Sequence, residues 1–200
     1  MLQERYAQST RKAAAPALNN LAYLYRVAGR RAEAKVILER LIAQGSSYGD
    51  VYANLAAIYR SEGDVASARR LYREALRDRP DDLETAGALV SLETEAGRPA
   101  AAERVYAEML RYYPGDRRLR NNIALLRSHD GDDAGAAVVL ADLITEHPGY
   151  TSARLNYANV LYRLGRHDEA RAQLQAALPL VRGTELEAVV QRQLRELATQ

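Results

Sequence analysis

One spacing constrains this chain more than any other feature: Gly29, Gly63, Gly97, Gly131 and Gly165 follow one another at intervals of 34 residues, with no insertion. Other columns keep the same register. Five residues after each glycine stands an alanine (Ala34, Ala68, Ala102, Ala136, Ala170), and nine after stands Leu38, Tyr72, Tyr106, Leu140 or Leu174. Pro80, Pro114 and Pro148 fall seventeen after. Seven before lie Ala22, Ala56, Val90, Ala124 and Ala158. Eight before lie Leu21, Leu55, Leu89, Ile123 and Tyr157, a column expected to be buried. A chain with such a period is an array of like units, none of which can bury its apolar face alone.

The copy spanning 49–82 shows what the unit is. Tyr52, Leu55, Ala56 and Tyr59 recur at i, i+3, i+4 and i+7, the stripe of one helix; Val65, Ala68, Leu71, Tyr72, Ala75 and Leu76 continue the period on a second. Gly63, between them, predicts a helix end in the left-handed conformation that glycine adopts without penalty. Pro80 stops the second helix, and Asp81 or Asp82 is placed to cap the next. The alanine column marks a close approach of two helices, where a larger side chain would overpack. Ala101, beside it, is expected on an exposed face.

From Ala15 to Thr184 these columns resemble the tetratricopeptide repeat family, although no copy has the family's frequent Trp, and Ser46 and Arg182 stand where the first and last copies should have Pro. The resemblance implies an all-α fold, a right-handed superhelical solenoid of antiparallel helix pairs (an α-α superhelix). It would hold five units, 15–48, 49–82, 83–116, 117–150 and 151–184, and a C-terminal capping helix over 185–200. In that last segment Thr184 and Glu187 fit a capping box, and Leu186, Val189, Val190, Leu194 and Leu197 form an apolar stripe. At the other end, residues 1–14 read as an N-terminal helix. It is predicted over Leu2 to Ala13, ending before Pro16, with Ala7 in register with Leu41. It is either a cap or the remnant of an upstream repeat.

Composition narrows the function. The chain has 200 residues, 48% hydrophobic and 27% charged, with a net charge of +2, which is the profile of a soluble globular protein. Its cations are arginines apart from Lys12 and Lys35, and they alternate with acids, so neither a nucleic-acid surface nor a membrane surface is expected. Absence of cysteine excludes disulfides, thiolate metal sites and a cysteine nucleophile. No apolar run reaches the length of a membrane span, and the start lacks the apolar core of a signal peptide. That leaves cytoplasm or periplasm open.

His129, His147 and His167 fall at different places in their repeats, which gives no metal-ligand spacing. Asp81 with Asp82 and Asp132 with Asp133 lie at helix starts, where capping accounts for them. With no phosphate-binding loop and no nucleophile motif, the expectation is a protein that is not an enzyme, with no catalytic residue, no metal and no cofactor. Two charges interrupt the first-helix stripe: Glu93 and Arg127 stand where Tyr25, Tyr59 and Leu161 stand in other copies. They are expected to form a partly exposed ion pair.

A polar column remains. Nine residues before the glycines stand Asn20, Asn54, Asn122 and Asn156, with Ala88 in the third copy. Asparagine is a poor helix former, so its recurrence in mid-helix needs a cause. In the family that flank of the first helix lines the concave groove, and the column resembles the asparagine ladder with which some members hold extended peptides. The alternative is that each asparagine bonds the backbone of a neighbouring repeat and only fixes stacking.

One turn away lie Tyr23, Arg26 and Arg60 at the first end, Asp50, Glu84 and Glu95 near the middle, and Arg118, His129, Asn159 and Arg163 at the far end. The family's carboxylate clamp for chaperone tails is missing, because Asn19 and Tyr23 occupy its first pair of positions. The expectation is a scaffold, monomeric or weakly oligomeric, that binds a protein or extended peptide segment. Acidic residues of that segment would lie toward Arg118 and Arg163, and a bacterial assembly or secretion complex is the suggested context. Two rival readings are an RNA-binding helical-repeat array, disfavoured by the acids in the groove, and a self-assembling structural array.

Overall fold

The computed structural model describes residues 2–46 and 48–198, with side chains from residue 14 onward. The expected register of Ala7 with Leu41 lies outside the described side chains. Eleven helices account for the described chain: α1 (Leu2–Val27), α2 (Arg31–Ala43), α3 (Gly49–Ser61), α4 (Val65–Asp78), α5 (Leu83–Glu95), α6 (Pro99–Met109), α7 (Arg117–His129), α8 (Asp133–Glu146), α9 (Thr151–Arg163), α10 (His167–Val181) and α11 (Glu185–Ala198). The chain divides into two compact units, Met1–Arg98 and Pro99–Gln200, so the third copy contributes α5 to the first and α6 to the second. In the first unit α1 pairs with α2 and α3 with α4, and α2 packs on α3 and α4 on α5. In the second, α7 pairs with α8 and α9 with α10; α6 packs on α7, α8 on α9 and α10 on α11. None of the described helices is long and apolar enough to cross a membrane.

The repeat glycines do what the spacing predicts. All five have φ between 68° and 88°. After each, the next backbone N–H turns back to the carbonyl four residues before the glycine: Arg30 to Tyr25, Asp64 to Tyr59, Arg98 to Glu93, Asp132 to Arg127 and Arg166 to Leu161, at 2.8 to 2.9 Å. This closes the helix by satisfying a carbonyl that the helix itself leaves free. Aspartates open several of the following helices: Asp64 accepts from the Ser67 N–H, Asp82 from Glu84 and Thr85, Asp116 from Arg118 and Leu119, and Asp132 from Gly135. Ala34, Ala68, Ala102, Ala136 and Ala170 are all fully buried. No room exists there for a longer side chain.

Several local expectations are corrected. Helix α1 runs through Pro16 to Val27 rather than ending before it. A proline costs about 3 kcal/mol in a helix interior. Here it is embedded in the alanine-rich run Ala13 to Leu18, whose residues favour helix on both sides. Leu21 is 39% exposed although its counterparts Leu55 and Leu89 are buried. Ala101 is buried, not exposed, because α6 buries Ala101, Ala102, Val105 and Met109, a wider stripe than the alanine column alone suggests. The capping box is also remade. Gly183, at φ 75°, reverses the chain so that its own N–H reaches the Glu187 carboxylate at 2.7 Å, while the Thr184 hydroxyl donates to the Val181 carbonyl.

Glu93 and Arg127 have other partners than each other. Glu93 on α5 is fully buried and accepts from Arg69 Nε of α4 at 2.8 Å, with Arg98 Nε 3.6 Å from its second oxygen. Arg127 on α7 donates to Glu103 of α6 at 2.6 Å. Both contacts join the position six residues after one glycine to the position four before the next. The same two positions hold Lys35 with its Nζ 4.0 Å from the Tyr59 ring centroid, and Ala137 with Leu161 in one buried apolar cluster. One geometric joint thus carries four chemistries: cation on ring, Arg on Glu, Glu on Arg, and apolar.

Candidate functional site

The polar column lies on the first helix of each hairpin, and three of its asparagines are already engaged, two of them with an asparagine of the copy before. Asn54 on α3 donates through Nδ2 to Asn19 Oδ1 on α1 at 3.0 Å, and Asn156 on α9 donates to Asn121 Oδ1 on α7 at 2.9 Å. The acceptors are buried, at 5% for Asn19 and 6% for Asn121. A buried amide needs its bonds made, so these pairs are struts between adjacent copies. The strut is a side-chain pair, where the stacking alternative had a bond to the neighbouring backbone. Asn122 lies 3.4 Å from the Tyr106 hydroxyl, and Asn20 is exposed. Asn19 and Asn121 are the residues that sequence reading missed. The signal was a second asparagine, one residue earlier, in the copy before each bonded one, 35 residues away.

The flanking residues are divided. Arg163 on α9 holds the Asp133 carboxylate through Nη2 at 2.7 Å and through Nε at 3.1 Å. Arg118 on α7 holds Asp116 at 2.8 Å, and that bond lowers the Asp116 pKa below its ordinary value. Asn159 accepts from Gln193 of α11 at 3.1 Å. Arg60 on α3 is paired with Glu95 on α5, and Asp50 with Arg79. Tyr23 and Arg26 on α1 differ from these. Arg26 stacks on the Tyr23 ring at 5.1 Å, and its Nε is buried without a hydrogen-bond partner. Glu84 and His129 are exposed.

Among the described residues no group of three or more His, Cys, Asp or Glu could hold a metal ion. Tyr72, whose phenol feels both Arg60 and Arg26, has its pKa raised, chiefly by burial, so it stays a neutral hydroxyl at physiological pH.

Repeating hairpins closed by left-handed glycines around a buried alanine column define a class of helical-repeat protein. Tetratricopeptide repeat models match residues 19–82, 59–127 and 125–192, and the chain belongs to that family. A comparison with curated protein sequences gives no match. Among solved structures, the chain is similar to YrrB, described as a tetratricopeptide repeat protein with an unusual peptide-binding site (16% identity, 88% of this chain and 90% of that one, TM-score 0.64). It is also similar to PilF of Pseudomonas aeruginosa (20% identity, 95% and 91%, TM-score 0.60). A third is MamA from Desulfovibrio magneticus RS-1 (15% identity, 86% and 97%, TM-score 0.65). At these identities the likeness concerns the fold.

Proposed function

We propose that this chain is a non-catalytic scaffold that binds an extended segment of a protein partner along the first helices of the hairpins in its first unit, α1, α3 and α5. One observation carries the reading: the face of α3 and α5 presents small, partly exposed residues, Ala53 and Ala57 on α3 and Gly87 on α5, beside an asparagine with spare capacity. Asn54 spends one N–H on Asn19 and keeps its second N–H and its carbonyl for a ligand backbone. Small side chains let that backbone approach, and paired polar groups give it donors and acceptors. The peptide-binding site named for YrrB agrees with such a use of this fold. RNA is the poorer ligand, since Arg60, Arg118 and Arg163 are each neutralised by a carboxylate of the same chain. A composition rich in arginine and alanine and poor in lysine suits a GC-rich bacterial genome, and an assembly or secretion complex, cytoplasmic or periplasmic, is the context to which the reading extends.

Selection of a phage-displayed random dodecapeptide library on the immobilised chain tests this. Peptides are expected to be enriched and to be lost with Ala57→Arg, which fills the face without disturbing the core. No enrichment, or binding indifferent to Ala57→Arg, overturns the proposal.

A further inference from the structure

Three arginines in the described chain bury an Nε that has no partner: Arg26, Arg154 and Arg171. Arg154 spends its terminal nitrogens on Gln173 and the Pro148 carbonyl, and Arg171 spends its own on Asp168 and the Leu197 carbonyl. Arg26 alone of the three has no acceptor among the described residues. Its guanidinium is nevertheless held in place, stacked on the Tyr23 ring of the same helix face. Stacking orders the fork before any ligand arrives, which lowers the entropy lost on binding.

The setting selects the ligand's charge. Arg26 and Arg60 stand at the same position in consecutive copies, on α1 and α3, and both act on the hydroxyl of Tyr72. Arg60 already carries a carboxylate, that of Glu95. The pair therefore has one guanidinium occupied by a carboxylate and one vacant, with a net charge of about one unit. A singly charged planar carboxylate matches that vacancy. A doubly charged phosphate would meet the Glu95 charge with only one free cation to offset it.

The geometry points to Arg26, seated on Tyr23, as the receptor for an Asp or Glu side chain of the bound partner segment. The segment would cross Ala53 and Ala57 of α3 and place its carboxylate on the fork of α1. This rests on the peptide-binding reading above but reverses the expected polarity of the site. The arginines at the far end of the chain, Arg118 and Arg163, already hold Asp116 and Asp133, so the acidic anchor belongs at the α1 end.

The experiment uses the peptides from the dodecapeptide selection, synthesised with amidated C-termini so that only side-chain carboxylates remain. Affinity is measured by fluorescence anisotropy with the wild-type chain, Arg26→Gln and Arg163→Gln. Loss of a charge-assisted bond lowers affinity roughly 10- to 100-fold. That loss is expected for Arg26→Gln with the acidic peptide, and equally for the wild-type chain when the peptide's acid is replaced by its amide. Arg163→Gln is expected to bind as wild type. Arg26→Glu should recover binding to a peptide carrying Arg in place of the acid, which keeps the test valid if Arg26→Gln alters the fold. Enriched peptides without acids, or acidic peptides indifferent to Arg26→Gln, overturn this inference while leaving the scaffold reading intact; a selection that enriches nothing overturns both.

Discussion

The pairs Asn19–Asn54 and Asn121–Asn156 are the same strut built twice, once in each unit, yet the faces beside them differ. Beside the first, Arg26 is ordered but has no acid partner among the described residues, and small residues, Ala53 and Ala57, lie on the neighbouring helix. Beside the second stand Leu125, exposed, and Tyr162, stacked on His167 at 5.1 Å, while Arg163 is locked to Asp133. The difference separates two kinds of position. Those that set the distance between helices recur because every copy needs the same spacing. Those that face outward are free to diverge, and divergence is where a binding surface can arise.

The joints make the same contrast inside the core, and the largest expected effect is there. Arg69→Ala leaves the fully buried Glu93 carboxylate without its hydrogen-bonded partner and should destabilise the first unit by about 3 kcal/mol. The mirror change, Glu103→Ala, strips the partly exposed Arg127 and should cost at most about 1 kcal/mol. Urea denaturation of both variants checks this, and equal losses would mean that burial does not distinguish the two joints. A copy stacked on the wrong neighbour would set the Glu93 carboxylate against Glu103 or Ala137, or Arg69 against Tyr59. The four chemistries therefore favour one order of repeats.

Overpacking comes next. Ala102→Leu should cost roughly 1 to 3 kcal/mol, and because Ala101 is buried too, Ala101→Leu should cost a similar amount. The exposed Ala100→Leu serves as the neutral control in thermal unfolding. The smallest effect concerns the struts. Asn19→Ala and Asn121→Ala each remove one amide hydrogen bond and should cost about 1 kcal/mol. If the struts are equivalent, the two losses match. A loss confined to one of them would show that its counterpart is held in place by the surrounding packing.

Much of this could be read from residue order. The hairpin, the glycine turn, the buried alanine column and the aspartate caps each depend on residues close in sequence or repeated at one period, so periodicity alone exposes them. What escaped was decided between elements. Glu93 and Arg127 looked like partners because they hold equivalent places, but an ion pair forms across the joint, where α4 meets α5 and α6 meets α7, and only packing shows which helix supplies the opposite charge. The asparagine column was legible as a column, but not as half of a pair, because its acceptors stand in a different column of the preceding copy. The same holds for Arg26: nine of the eleven helices carry arginine or lysine, and nothing in their order says which guanidinium lacks a carboxylate among the described residues. Local sequence determines where helices start, stop and turn an apolar side inward. Which polar groups find each other depends on distances across the stack, and those exist only once the copies have packed.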